Sequence, residues 1–402
     1  MSLYYPIPQP TIADNILVRR ERRLPVPGEV LVKAGTRVEP ADVIAQSTIT
    51  PDPVQVNIAA DLGLSPSAAA KRLRVSGGQP VEQGAVLAQK GGLGSRVSRS
   101  PVTGTFTSYD PATGVALIAL PTEPISVHAH LRGIVTDLIP FYGAIIETPA
   151  TVIRGIFGMG GERHGVLKVL AAAHDEPITL DVIDSRVTYA LVLGGSEVSA
   201  DVLHRMIEQG ARGVITGSIR STELAAFLGH SHRSTVSWSR HDHDARPTPT
   251  GHWSLGSNGW TFPPQPAGVP SLVPPDFVLI VTEGFGSVPM SPRTFETLAA
   301  HDGQEIAVDG TTRLRGGLAR PEIIIPMSRT TQVNWLDESG PKLAVGTWVR
   351  LLSHDYLGQI GQVSSLPVGP RASQSGVLAP VADVDLGGER LRVPIVDLEA
   401  LK

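Results

Sequence analysis

The sequence predicts a multidomain, β-rich protein, and three observations lead to this prediction. The chain has 402 residues, a length that fits about two to four domains. Its 42 glycines and 34 prolines, with only 5% aromatic and 18% charged residues, favour short strands joined by turns over long helices. Finally, one glycine-containing phrase occurs twice in the N-terminal third of the chain.

The duplicated phrase reads VLVKAGTRVEPADVIAQ at residues 30–46 and LRVSGGQPVEQGAVLAQ at residues 73–89. Each copy predicts a strand, a glycine turn and two further short strands, because glycine accepts the positive φ of a tight turn and apolar residues flank it. The aligned pairs are Val32 with Val75, Gly35 with Gly78, Val38 with Val81, Glu39 with Glu82 and Val43 with Val86.

A second repeat aligns residues 100–118 with residues 129–146. Each copy predicts a β-hairpin whose first strand begins at a glycine. We interpret both repeats together as two half-motifs that close one barrel around a single core. The aligned pairs are Gly104 with Gly133, Phe106 with Val135, Gly114 with Gly143 and Leu117 with Ile146.

Residues 24–150 resemble the barrel-sandwich hybrid, the fold of biotinyl and lipoyl carrier domains, in the segments LPVPGEVLVKAGTRVEPADVIAQ, GGQPVEQGAVLAQ and SPVTGTF. The same fold occurs in the C subunit of Rnf electron-transfer complexes and as an insert in multi-subunit RNA polymerases. Carrier domains present one lysine on an exposed hairpin, but residues 47–53 contain none, and the chain has no cysteine to hold an iron–sulfur cluster. We therefore predict an unmodified scaffold without a cofactor, preceded by an N-terminal arm at residues 1–23.

A short helical insert is predicted at residues 57–72, between the two copies of the first repeat. Ser65 suits the N-cap of a helix and Pro66 its first residue. The segment resembles a helix-turn-helix, in which Lys71 and Arg72 would lie on the second helix. The alternative is a helical cap over the barrel, which we prefer because no third helix is available to support the motif.

Residues 151–328 predict an α/β domain with a parallel sheet. The apolar runs YALVLGG at 189–195 and GVITGS at 213–218 read as strands buried on both faces, and a helix that Ser199 can cap lies between them. A further strand is predicted in DFVLIVTEGFGS at 276–287. Strands that alternate with helices at this spacing are typical of parallel sheets.

Small and polar residues follow three of these predicted strands at their carboxyl ends. Open α/β sheets bind ligands at this edge, so these residues are our candidates for a small-molecule or anion site. No P-loop or dinucleotide fingerprint accompanies them. The candidates are Gly194, Gly195, Ser196, Thr216, Gly217, Ser218, Glu283 and Gly284.

Residues 230–275 interrupt the α/β pattern with a segment rich in Ser, Pro, Gly and His. Metal binding is one interpretation of its polar cluster, since His and Asp are common metal ligands. We prefer a flexible surface insertion, and predict no metal site. The cluster comprises His230, His232, His241, Asp242, His243 and Asp244.

Residues 340–402 form the third predicted domain. The stretch LAVGTWVRLLSHDYLGQIGQV at 343–363 resembles the KOW motif of SH3-like barrels, which implies a β-barrel that binds protein or RNA. Acidic residues accompany the arginines, so charge favours a protein partner over nucleic acid. The partner-binding candidates, which we expect on exposed loops, are Arg350, His354, Tyr356, Arg371, Arg390 and Arg392.

No catalytic residues are predicted. The chain contains no G-x-S-x-G, HExxH or P-loop sequence, and the local acid, cation and base of GERH at 161–164 have no partner in sequence. The net charge of −4 gives no global attraction to nucleic acid or anionic membrane. No apolar run is long enough for a membrane span, and the N-terminus lacks a signal-peptide pattern, so we expect a cytoplasmic protein.

As a whole, the chain resembles a bacterial family that combines a hybrid domain, an α/β domain and a KOW-like domain. Our leading hypothesis is a non-catalytic cytoplasmic adaptor or scaffold that docks on a larger assembly, such as the transcription or translation machinery, through its β modules. The alternatives are an accessory subunit of a metabolic or redox complex, and a small-molecule or anion sensor at the α/β strand ends.

Overall fold

The protein is multidomain and β-rich, with 46% strand and 14% helix distributed over several sheets in a computed structural model. The structure describes residues 11–92, 95–228, 254–256, 259–261, 277–312, 319–327, 343–353, 356–373 and 378–401. The candidate metal residues between 230 and 244, and the candidate His354, lie outside the described residues.

The N-terminal region contains thirteen strands and two short helices. In chain order these are β1 (Ile12–Arg23), β2 (Glu29–Val30), β3 (Arg37–Val38), β4 (Val43–Ile49), β5 (Val54–Asn57), α1 (Ile58–Leu62), α2 (Pro66–Ala70), β6 (Gln79–Val81), β7 (Val86–Lys90), β8 (Arg96–Arg99), β9 (Gly104–Tyr109), β10 (Val115–Ala119), β11 (Glu123–His128), β12 (Gly133–Ile139) and β13 (Gly143–Arg154).

The two repeat copies lie in two separate cores, so the prediction that they close one barrel is wrong. We call the parts the first module (residues 12–49 and 123–154) and the second module (residues 54–119). The first copy packs with the β12–β13 hairpin, and its core contains Val38, Ile44, Val135, Ala144 and Ile146. The second copy packs with the β9–β10 hairpin, and its core contains Val81, Leu87, Phe106, Ala116 and Ile118.

The two modules are built alike at the level of individual strand pairs. In the first, Val38 on β3 pairs with Gly133 on β12. In the second, Val81 on β6 pairs with Gly104 on β9. The glycine turns also match, because Gly35 and Gly78 both have positive φ, at 84° and 83°. The sequence repeat therefore reports a true structural duplication.

The return strands of the two hairpins are offset by one residue from the alignment made on sequence alone. Each hairpin carries a bulge, at Thr136 in the first module and at Thr107 in the second. Beyond the bulge, Val135 pairs with Ile146 and Phe106 pairs with Ile118. The equivalent of Ile146 is thus Ile118 rather than Leu117. Successive side chains point to opposite faces, so the correction moves the match onto the buried face.

The second module is inserted into a turn of the first. Strands β4 and β11 pair as a hairpin whose ends are joined by the whole of residues 50–122. Their equivalents in the second module, β7 and β8, also pair, but a short connection joins them. Helix α1 covers the second core with Ile58 and Leu62, as the helical-cap interpretation predicts. Ser65 is the N-cap of α2 and Pro66 its first residue, as predicted.

The middle region continues from the first module without a break. Its elements are β14 (Phe157–Met159), β15 (Glu162–Val169), the 3-10 turns Leu180–Val182 and Ser185–Val187, β16 (Ala190–Leu193), α3 (Ala200–Glu208), β17 (Gly213–Ile219), α4 (Ser221–Phe227), β18 (Ser254–Gly256), β19 (Gly259–Thr261), β20 (Val278–Phe285), α5 (Pro292–Ala299), β21 (Glu305–Asp309) and β22 (Glu322–Pro326).

One sheet of 11 strands spans the middle region and the first module, in the order β14-β20-β17-β16-β15-β21-β22-β13-β12-β3, with β1 paired to β13. Strands β16, β17 and β20 run parallel, as predicted, and so does β15, which was not predicted, whereas β21 and β22 are antiparallel. Strand β13 runs through the domain boundary predicted at residue 150. The predicted N-terminal arm supplies β1, so it is a sheet strand.

Both faces of the parallel strands are covered, which explains their unbroken apolar sequences. On one face, Leu203 of α3 and Leu224 of α4 pack against Val214. On the other, Phe295 and Leu298 of α5 pack against Ile215.

The C-terminal region forms a five-stranded sheet and a small hairpin. Its elements are β23 (Trp348–Leu351), β24 (Ile360–Ser365), β25 (Arg371–Ala372), β26 (Leu378–Ala379), β27 (Val381–Asp385), β28 (Arg390–Pro394), the 3-10 turn Ile395–Asp397 and β29 (Leu398–Ala400). The inner side chains, among them Val349, Leu351 and Val363, share one core. We call this part the C-terminal domain.

Candidate functional site

The predicted strand-end residues do come together in the structure. Thr216 and Ser218 lie on β17, next to Val281 and Gly284 of β20 in the parallel register. Gly195 and Ser196 follow β16, and the backbone N–H of Ser218 donates to the carbonyl of Ser196 at 2.7 Å. Thr216, Ser218 and Ser196 are all buried.

The chain itself uses the polar groups at these strand ends. The hydroxyls of Thr216 and Ser218 both donate to the Ser196 carbonyl, at 3.2 Å and 3.3 Å. Ser218 Oγ also accepts from the backbone N–H of Val288 at 2.9 Å. These polar groups are therefore occupied by hydrogen bonds within the protein, and the small-molecule site at this edge stays a prediction.

Two glycines at this edge permit close approach of the protein's own backbone. A Cβ at Gly195 would collide with the carbonyl oxygen of Ala173. A Cβ at Gly217 would lie 2.6 Å from the backbone nitrogen of Met290. Glycine is required wherever backbones meet this closely. These glycines are explained by packing of the loops around Ala173 and Met290.

Glu283 of the sheet and Arg350 of the C-terminal domain bind each other. Their side chains form an ion pair, and both residues are only 5% exposed. The expectation that Arg350 lies on an exposed loop is therefore wrong: it sits on β23 and faces the sheet. Glu283 Oε1 also accepts from the backbone N–H of Ser291 at 2.9 Å.

The ion pair belongs to a larger network, which we call the buried ion network: Glu283, Arg350, Glu399 and Arg320. Arg350 contacts Glu399 at 3.3 Å, and Arg320 contacts the other oxygen of Glu399 at 3.0 Å. Burial disfavours the charge on Glu399, but the guanidinium groups of Arg320 and Arg350 outweigh it and lower the pKa of this carboxyl. Removing one member would leave a buried charge without its partner, which is strongly destabilising.

The C-terminal domain is thus fixed on the strand ends rather than independent of them. Leu352 and Leu357 pack into the hydrophobic core of the α/β sheet. Gly284 and Gly358 lie so close that a Cβ on Gly284 would be 3.1 Å from the Cα of Gly358. Apolar packing, close backbone contact and the buried ion network together attach the C-terminal domain to the sheet.

The predicted partner-binding residues do not form one surface. Tyr356 is buried in the core of the C-terminal domain. Arg371, Arg390 and Arg392 are exposed. Arg392 donates from Nε to Asp383 at 2.8 Å, which offsets part of its charge. Little unpaired positive charge is thereby presented by β27 and β28.

Several exposed apolar residues on the C-terminal domain were missed by the sequence reasoning, and two of them lie close together on its sheet. Trp348 is 55% exposed and Ile360 is 46% exposed. Because Arg350 pairs with Ile360 across β23 and β24, while Trp348 lies two residues from Arg350, the three side chains share the face opposite to Val349 and Leu351. Arg350 is buried there against Glu283, and the other two side chains are exposed beside it. The alternation in WVRL, with Val349 and Leu351 inside, is the signal that could have found this face.

A histidine cluster at the junction of the first module and the large sheet was also missed. The ring centroids of His128 and His130 are 5.9 Å apart, and those of His130 and His164 are 6.1 Å apart. Beside them, Arg22 makes a bidentate ion pair with Glu162 at 2.7 Å and 2.6 Å. The sequences HAH at 128–130 and GERH at 161–164 hold the cluster, but only the fold joins them.

Burial perturbs the ionisation of this cluster. It lowers the pKa of His130 to about 4, with Glu162 opposing the shift and Arg22 adding to it. Burial, then Arg212, lower the pKa of His164. Burial also raises the pKa of the nearby Asp309 carboxyl. Among the described residues, no group of three or more His, Cys, Asp or Glu side chains is arranged to hold a metal ion.

Comparisons with protein-family models, with curated proteins and with solved structures find no match to this chain. Within the described part of the chain, no helix is long and apolar enough to cross a membrane.

Proposed function

We propose that the protein is a non-catalytic cytoplasmic adaptor that docks on a larger assembly through its β modules. The observation that carries this proposal is the pair of exposed apolar side chains, Trp348 and Ile360, on the outer face of the C-terminal domain. Exposed aromatic side chains are enriched at protein interfaces and often supply much of the binding energy. In this proposal the C-terminal domain is a KOW-type, SH3-like barrel and the two N-terminal modules are hybrid-type scaffolds.

The buried ion network supports the proposal because it holds this face rigidly. Arg350 lies two residues from Trp348 on β23, and it forms ion pairs with Glu283 and Glu399. A surface that is already ordered loses less entropy when a partner binds. The Trp348–Ile360 face therefore has the properties of a preorganised docking site at the edge of the domain contact.

The chemistry of this face favours a protein partner over nucleic acid. Affinity for nucleic acid requires phosphate contacts from unpaired Lys and Arg. On β28, Arg392 is paired with Asp383. Asp385, which faces Arg390, and Glu389, which precedes it in sequence, add negative charge near Arg390. Apolar contacts from Trp348 and Ile360 would dominate, with the transcription or translation machinery as the assembly to examine first.

Affinity capture from the native cells tests this proposal. The bait would be the full chain, with and without nuclease treatment, compared with a Trp348→Ala/Ile360→Ser variant. Leu180→Ala is the matched control, because Leu180 is 51% exposed but lies outside the C-terminal domain. We expect a nuclease-resistant protein partner that is lost with the double variant and retained by the control. Equal recovery with all three baits would contradict the proposal.

A further inference from the structure

A cavity of about 510 Å³ opens between the first module and the ends of β21 and β22. Its floor is apolar and comes from both parts of the structure: Leu131 from the first module, and Ile306, Ala307 and Met327 from the sheet. Leu131, Ile306 and Ala307 are buried. This size and lining are typical of small-molecule sites, which combine an apolar body with a few polar groups.

The polar groups of the cavity wall include Arg132, Glu305 and His301. Arg132 is held mainly by Glu39, which lies 2.7 Å from its Nε, whereas Glu305 lies 3.5 Å from its NH2. Two carboxylates therefore share one guanidinium, and Glu305 is the more weakly engaged of the two. Glu39 lies outside the cavity lining, so the lining carries the guanidinium of Arg132, which Glu39 already engages, and the carboxylate of Glu305.

His301 presents a second acceptor when its ring is neutral. Its Nδ1 lies 2.7 Å from the carbonyl oxygen of Thr297. A carbonyl can only accept, so Nδ1 must carry the hydrogen and Nε2 has the free lone pair. With the Glu305 carboxylate, the wall thus offers two hydrogen-bond acceptors above an apolar floor, while its guanidinium, Arg132, is already engaged by Glu39.

We propose that this cavity binds a small organic cation, an ammonium group carried on an apolar body. The ammonium would donate to the carboxylate of Glu305 and to Nε2 of His301, and the apolar body would lie against Leu131 and Ala307. This site is separate from the Trp348–Ile360 face, and the proposal does not depend on the adaptor function.

The neighbouring strand provides an internal reporter of binding. His164 on β15 pairs with Ala307, and Glu305 lies two residue pairs further along the same ladder, on the same face. Burial and Arg212 lower the pKa of His164, and Glu305 partly offsets them. An ammonium bound at Glu305 would cancel that offset. The pKa of His164 should therefore fall when the cavity is occupied.

Three probes of one shape test the proposal: benzylamine, benzyl alcohol and benzoate, titrated into the full chain and followed by calorimetry and by the His164 ring signals in NMR spectra. We expect saturable binding of benzylamine, with a lower His164 pKa in the complex, and much weaker binding of the neutral and anionic probes. Glu305→Gln should weaken benzylamine binding by about tenfold or more, because a charge-assisted hydrogen bond is lost.

Glu208→Gln is the matched control, because Glu208 is exposed and also pairs with an arginine, Arg205, at 3.4 Å. It should bind benzylamine as the unchanged protein does. Failure of benzylamine to saturate would overturn the proposal. So would equal affinity for the three probes, or unchanged affinity in Glu305→Gln. The probe series needs no variant, so the proposal stays testable if Glu305→Gln fails to fold.

Discussion

The first and second modules share one architecture but occupy different surroundings, and the contrast explains where the polar sites of this protein arise. The outer strand of the second module, β5, places Val56 opposite Ala116 of β10. The equivalent position in the first module is Arg22 on β1, opposite Ala144 of β13. Val56 faces its own small core, whereas Arg22 faces the large sheet and pairs with Glu162.

The difference shows how a repeated unit acquires a new surface. Strand β13 has 12 residues and pairs with β22 of the large sheet through residues 150–154, whereas its counterpart β10 has five residues. At the junction of the first module with the sheet, three charged or titratable residues, Arg22, His130 and Arg132, lie beside the apolar contacts. The second module, which meets no sheet, closes its core with α1 instead.

The largest expected effect comes from emptying the two equivalent core positions. Ile146→Ala and Ile118→Ala should each cost about 2–5 kcal/mol of the free energy of unfolding, because each leaves a cavity in a fully buried core. Ile146→Ala should increase hydrogen exchange across the large sheet as well, whereas Ile118→Ala should increase it within residues 54–119 alone. Hydrogen exchange measured by mass spectrometry checks this prediction. Identical exchange patterns in the two variants would show that both modules are coupled to the large sheet to the same extent.

The equivalent outer-strand positions give the next largest effect. Arg22→Ala leaves Glu162 and the Ala129 carbonyl without their partner, and should cost about 2–4 kcal/mol because Glu162 is partly exposed. Val56→Ala removes only apolar contact, about 1–2 kcal/mol. Urea unfolding of both variants measures the difference. A smaller loss for Arg22→Ala than for Val56→Ala would refute the role given to the junction.

The fold was predictable from the sequence in its local parts and not in its long-range parts. Gly35 and Gly78 revealed the duplication, because a turn with positive φ needs glycine wherever it occurs. The assignment of each copy to its own core was not visible, since β4 pairs with β11 across some seventy intervening residues. The one-residue offset was missed because bulges at Thr107 and Thr136 have no signal in a single sequence.

For the candidate sites, too, the local features were predictable from the sequence and the long-range contacts were not. Glu283 and Arg350 were each selected as site residues, one for a ligand and one for a partner, yet they are partners of each other. Their polarity was evident in sequence, but their pairing depends on how the C-terminal domain packs on the sheet. The histidine cluster was missed for the same reason, since only the fold brings together His130, in the connection between β11 and β12, and His164, on β15.

A pH effect is expected for the first module and not for its counterpart. The folded protein keeps His130 neutral, with a pKa of about 4 against about 6.5 in the unfolded chain. Its contribution to stability is therefore complete above about pH 6.5 and is lost as the pH falls toward 4. After allowance for solvent screening of a half-buried ring, the loss is about 1–2 kcal/mol.

Melting temperatures measured across this pH range check the effect. His130→Asn should flatten the dependence, and asparagine suits the left-handed backbone at this position, where φ is 54°. His204→Asn on the exposed face of α3 is the control and should leave the slope unchanged. A slope that persists in His130→Asn would assign the effect to other groups.

The smallest expected effect concerns the helix that only the second module has. Asn57 caps α1, accepting from the backbone N–H of Ala60 at 3.0 Å. Asn57→Ala should cost about 1 kcal/mol, as loss of an N-cap does. Asn57→Ser, which keeps a capping oxygen, should recover most of it. Thermal unfolding of the two variants would show whether α1 really contributes to closing the second core.

Site-specific photo-crosslinking from position 348 in living cells tests the central claim most directly. A photoreactive amino acid would replace Trp348 in one strain and the exposed Leu180 in another, and nuclease treatment would follow irradiation. The account predicts a discrete protein adduct at position 348 that is absent at position 180. No adduct at position 348, or the same adducts at both positions, would contradict docking through the Trp348–Ile360 face.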